Sequence, residues 1–183
     1  RFGDWFVMMN GNDSRENAQL KSHPYLNDSG KVSISNYQYN NNWNQTDIKI
    51  GYMDNDFVRL SNITPDKGEF PKNDDEIAVE WNTLLLLNQG TDIGWDRITK
   101  TYKLSGILKS YTNVWVGGSN VPGIITTKNE AQNIKRSNSA VYIYSAGNYI
   151  SGDYKDIYEG LNKKVSGSLI YNSSLYDYEP WSG

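Results

Sequence analysis

The side chains able to do chemistry in this 183-residue chain are carboxylates, one histidine and many aromatic rings; there is no cysteine. Asp54-Asn55-Asp56 has the spacing that opens a calcium loop. Such a loop needs Gly at its sixth position and Glu at its twelfth, where this chain has Arg59 and Pro65. Asp74-Asp75-Glu76 precedes an apolar triplet and reads as a solvated turn. His23 stands before Pro24 at the end of a short helical stretch, with no Ser, Cys or ligating partner beside it, so it reads as a helix terminus. No nucleophile elbow, Walker loop or Gly-x-Gly-x-x-Gly fingerprint occurs, and Gly117-Gly118-Ser119-Asn120 lacks the lysine and helix that phosphate cradling requires. The sequence therefore predicts no catalytic residue, no metal site and no cofactor. Carboxylate pairs for glycoside hydrolysis are set by space, and nothing here selects one.

Trp43, Trp95, Tyr111 and Trp115 lie in polar, turn-like or Gly-flanked segments, where a ring is less readily spent on packing. They are the expected contact residues for a partner or substrate, since Trp and Tyr concentrate at interfaces. Rings with Asn neighbours also suit sugars. Two classes stay open on these residues: a non-enzymatic contact domain, and a secreted glycan-binding or glycan-processing module.

Composition narrows the field. Hydrophobic content is 37%, but 14 Tyr and 6 Trp imply a core built largely from amphipathic rings. The net charge is −3 and Lys and Arg are scattered, so no basic stripe for nucleic acid is present. No apolar run reaches the roughly 18 residues of a membrane span. The chain opens at Arg1, so it reads as excised from a longer protein whose targeting or membrane segments lie outside it.

The elements that position these residues show a strand-helix-strand unit near each end. Trp5 to Asn10 reads as a strand apolar on both faces, Ser14 to Ser22 as a helix capped by Asp13 and Glu16, and Val32 to Tyr37 as a second strand. Ala140 to Ser145, Asp153 to Lys163 and Ser168 to Asn172 repeat the order. In the last helix Tyr154, Ile157, Tyr158 and Leu161 form one apolar stripe. Between the units come a helix capped by Asp54, a loop punctuated by Pro65, Gly68 and Pro71, the strand Ile77 to Val79, and a leucine-rich helix ended by Gly90. Strands at Arg97 to Thr99, Tyr102 to Leu108 and Gly123 to Thr127 follow, then a helical or polar stretch from Lys128 to Arg136. The expected class is α+β: a split βαβ, ferredoxin-like subdomain (residues 1–50 and 137–183) holding a small α/β insertion (51–136).

The order of short motifs from Gly51 to Leu108 resembles the extracytoplasmic core domain of MacB-type and FtsX-type ABC transporter permeases. The matching residues are Gly51, Asp54-Asn55-Asp56-Phe57, Gly68-Glu69-Phe70-Pro71, Asp74-Asp75-Glu76-Ile77-Ala78-Val79, Ile93-Gly94-Trp95-Asp96 and Leu104-Ser105-Gly106-Ile107. One departure is Trp95, where the family usually has aspartate. Phe2-Gly3-Asp4-Trp5 and His23-Pro24-Tyr25 resemble Gram-positive members; Ser110 to Gly123 has no clear counterpart. The resemblance implies a porter-type split subdomain between two membrane helices, on the extracytoplasmic side of the cell membrane. It further implies a mechanical role without catalysis, coupled to a cytoplasmic ATPase subunit and serving export, peptide resistance or cell-envelope processes. Its partners would be the transporter's own membrane helices and a peptide or cell-envelope component, with the isolated domain a monomer or weak dimer.

Overall fold

A computed structural model of the chain describes residues 3–11, 14–40, 45–88, 102–115, 121–134, 139–146, 154–165 and 169–172. Among these residues the fold is mixed α+β around a nine-stranded sheet in the order β4-β6-β5-β7-β3-β2-β8-β1-β9. Its terminal half carries β1 (Trp5–Asn10), α1 (Ser14–Lys21), β2 (Leu26–Asn40), β3 (Gln45–Met53), β8 (Ser139–Ala146), α5 (Tyr154–Asn162) and β9 (Leu169–Tyr171). β8 lies antiparallel between β1 and β2, and β1 antiparallel between β8 and β9. Each βαβ unit thus straddles a strand of the other, which is the split, ferredoxin-like arrangement.

Every residue from Trp5 to Met9 is buried, as an apolar strand covered on both faces must be. Phe6 and Met9 face the helix side with Leu20 of α1 and Tyr158 and Leu161 of α5. Trp5 and Met8 face the opposite side, against Phe57 and Leu60 of α2 (Asn55–Ser61). The predicted stripe on α5 is the packed one: Tyr158 and Leu161 are buried, and Tyr154 and Ile157 rest against the same cluster. β2 is longer than expected because Leu26 to Lys31 also pair with β8. Beyond Ile34↔Ser139, the last β2–β8 pair, β2 and β3 continue together to Asn40↔Gln45. Those six residues form an arm of about 20 Å at roughly 3.4 Å per residue.

The middle of the chain supplies β4 (Pro65–Gly68), β5 (Glu76–Glu80), α3 (Trp81–Asn88), β6 (Lys103–Leu108), β7 (Ile124–Ile125) and α4 (Lys128–Asn133). These strands extend the same sheet, joined through a two-pair parallel contact, Ile50↔Ile124 and Gly51↔Ile125. The expected boundary at residue 50 falls inside β3, which runs on to Met53. The loop expected around Pro65 is instead the edge strand β4, paired with β6. Proline is tolerated there because it is the first residue of an edge strand, where a missing N–H leaves no ladder bond unmade. The expected strand at 97–99, the caps at Asp13 and Gly90 lie outside the described residues. Ile48, Ile50, Ile77, Val79 and Ile124 form the core of this half on the side of α3 and α4, with Leu84 and Ile134 packed on it.

Candidate functional site

Of the four rings expected to meet a partner, Trp43 and Trp95 lie outside the described residues. Tyr111 is fully buried and Trp115 is 4% exposed, so the expectation that they face outward is corrected. Trp115 stacks between Trp5 at 5.6 Å and Phe57 at 5.8 Å, plugging the sheet face beneath α2. Tyr111 donates its hydroxyl to the carbonyl of Pro122. Burial, then the adjacent Glu80 carboxylate, push its pKa well above the ordinary tyrosine value. The chain turns at residues 112–114, and both rings are buried.

Glu80 went unnoticed in the sequence, yet it is the most deeply engaged carboxylate among the described residues. It is fully buried at the junction of β5 and α3. Oε2 accepts from the backbone N–H groups of Tyr111 at 2.9 Å and Thr112 at 3.0 Å, and Oε1 from the hydroxyls of Thr83 at 2.9 Å and Thr112. All of these donors are neutral. A buried carboxylate needs such a full set of bonds, and this one ties β5, α3 and the segment after β6 into one knot. Those bonds make it a structural tie. Among the described residues no three His, Asp or Glu side chains converge as a metal site.

The acidic groups read from sequence are also structural ties. Asp54 Oδ1 accepts from Phe57 N at 2.7 Å and caps α2, while Oδ2 accepts from Lys31 N at 3.1 Å and fastens that cap to β2. Asp74 accepts from the Thr127 hydroxyl at 2.6 Å. Glu76 accepts from the N–H groups of Lys72 and Asn73 at 3.1 and 2.8 Å. His23 follows α1, its Nδ1 accepting from Tyr25 N at 3.3 Å. Burial, then the nearby Lys164 ammonium, lower its pKa.

A groove of about 510 Å³ opens where the two halves of the sheet meet. Lys31, Ser33, Ser35 and Tyr52 line it from β2 and β3, Lys128 and Gln132 from α4, and Ser139 from the start of β8. Alternation on β2 sends Val32 and Ile34 into the opposite core, leaving Lys31, Ser33 and Ser35 on the groove side. The helices of the two halves cover the sheet to either side, and this polar strip lies between their cores. Ser35 donates to the Ile134 carbonyl at 3.3 Å, tying β2 to the end of α4. Tyr52 has its pKa raised by burial and then by the Asp54 charge, so it stays a neutral donor.

No protein-family model matches the chain, and no curated protein does. Solved structures do. The periplasmic region of MacB from Actinobacillus actinomycetemcomitans superposes with a TM-score of 0.51 at 10% identity, covering 94% of this chain and 91% of that one. The extracellular domain of the noncanonic ABC-type transporter YknZ from Gram-positive bacteria gives a TM-score of 0.48 at 10% identity, covering 91% of this chain and 99% of that one. The chain thus has the fold of a MacB-like periplasmic domain. The resemblance carried by the short motifs holds at the level of fold.

Proposed function

We propose that this chain is the extracytoplasmic domain of an ABC transporter permease, non-catalytic, moved by membrane helices that a cytoplasmic ATPase drives. The observation that carries the reading is where the chain begins and ends its path through the sheet. β1 and β9 are antiparallel neighbours with Val7 opposite Tyr171. The Asn172 amide donates to the carbonyls of Trp5 at 2.8 Å and Gly3 at 3.4 Å. A domain strung between two membrane spans needs its first and last residues side by side. No helix among the described residues is long and apolar enough to cross a membrane, so the spans would belong to flanking segments.

In this reading the halves split as residues 1–50 with 137–183 and residues 51–136, and the β2–β3 arm, which points away from Gly3 and Asn172, meets the peptide or cell-envelope partner. Trp43 and Trp95 remain the contact residues; Tyr111 and Trp115 leave that list as core. The glycan-binding alternative loses the same two rings. Because the chain has no cysteine, one can be introduced at exposed Lys109 or Glu159 in the full-length protein. Labelling of these cysteines by a membrane-impermeant maleimide on intact cells is the expected result. Protection until the cells are lysed would overturn the placement. Trp43→Ala should then lower transport-linked activity while ATP hydrolysis persists.

A further inference from the structure

We propose that the groove between the two halves of the sheet is a binding site for a polar ligand carrying an oxyanion, a carboxylate or a phosphate, held between Lys31 and Lys128. The inference stands on the groove alone and does not require the transporter reading.

The charge balance of the groove points to an anion. Lys31 and Lys128 are its two cations and Asp54 its one acid among the described lining residues. Both oxygens of Asp54 are already engaged by backbone N–H groups of Phe57 and Lys31. Neither ammonium forms an ion pair among the described residues; Lys31 instead stands 5.6 Å over the ring of Tyr142. An ammonium held over a ring face keeps its outward hydrogens for a ligand.

The surroundings suit the uncharged part of such a ligand. Ser33, Ser139 and Gln132 line the groove, and no side-chain hydrogen bond occupies them among the described residues. Tyr52 adds a phenol kept protonated. The volume of about 510 Å³ falls within the roughly 300–1,000 Å³ of small-molecule sites. Because Lys31 is on a strand of the terminal half and Lys128 on α4 of the middle half, one bound anion would bridge the two. Occupancy of the groove is thereby linked to how the halves are held.

The test is a titration of the 183-residue chain, followed by backbone amide NMR, with inorganic phosphate and separately with tri-glutamate. Ionic strength is held constant with chloride. The expected result is saturable shifts at Ser33, Ser35 and Gln132. Lys31→Gln or Lys128→Gln should weaken the apparent affinity at least threefold, while Lys67→Gln, whose ammonium lies over Trp81 in the middle half, should leave it unchanged. Saturation by both probes supports a site for the charge itself. Saturation by phosphate alone assigns a phosphate ligand, and by tri-glutamate alone a carboxylate ligand. Shifts no larger than chloride produces, or an equal loss in all three lysine variants, would overturn the proposal.

Discussion

The two halves of the sheet are held together by different means. The terminal half is a set of long antiparallel ladders sandwiched between apolar helix faces, with β1 buried from Trp5 to Met9. The middle half has shorter strands, a proline-headed edge and a fully buried carboxylate as its knot. The two β3–β7 pairs, the Trp115 plug and the Ser35–Ile134 bond are among the links that continue one into the other. One half depends on apolar area, which tolerates small shifts. The other depends on a polar network, which holds only while every member is satisfied.

The largest expected effect comes from removing the plug. Trp115→Ala should destabilise the chain by roughly 3–5 kcal/mol, the usual range for deleting a large buried ring, read as a shift of the urea midpoint. A loss below about 1 kcal/mol would show that the halves do not lean on this ring. Next, Glu80→Gln turns one accepting oxygen into a donor facing donors, and the expected cost is roughly 1–3 kcal/mol. Hydrogen exchange should quicken at β5 and β6 amides more than at β8. Equal quickening in all three would mean that the halves open as one unit, and the contrast between them would fail.

Alkaline pH provides a third test. Tyr111 in the middle half and Tyr144 in the terminal half both have folded pKa values raised above the ordinary one, by burial first. Their contribution is fully present below about pH 10, the unfolded value. Above it the unfolded state sheds protons that the folded state keeps, so stability falls by about 1.4 kcal/mol per pH unit for each tyrosine. Tyr111→Phe should flatten that decline and cost about 1 kcal/mol at neutral pH for its bond to Pro122. A decline unchanged in the variant would remove Tyr111 as a source. The smallest effect is expected at His23. Its lowered folded pKa means stability lost as pH falls below about 6.5, and His23→Ala should leave the midpoint at pH 7 within about 0.5 kcal/mol. A larger loss, or loss of transport-linked activity in a folded variant, would give this residue a role the structure does not suggest.

The contrast also explains what could be read from residues alone. The terminal half is encoded locally: the stripe on α5 and the run from Trp5 to Met9 announce their partners by periodicity. The Asp54 cap is equally local, its bond spanning three residues. The middle half is encoded across distance. Glu80 meets Tyr111 and Thr112 more than thirty residues away, and no spacing rule marks such a pairing. Pro65 argued against a strand until its place at the sheet edge was known. Tyr111 and Trp115 sit among turn residues, and only the tertiary fold shows that the reversal points inward. The groove was invisible for the same reason, since Lys31 and Lys128 are nearly a hundred positions apart.

The side-by-side position of Gly3 and Asn172 has a consequence for how force would travel. Pulling these two points apart would load the β1–β9 ladder at its end, so its hydrogen bonds would part in succession under a small force. Drawing both in one direction, with the rest of the domain held back, loads the β1–β8 ladder along its length. All its bonds then share the strain at once. The domain would therefore be stiff toward a common displacement of these two points and weak toward their separation, which is how a lever behaves when gripped at one end.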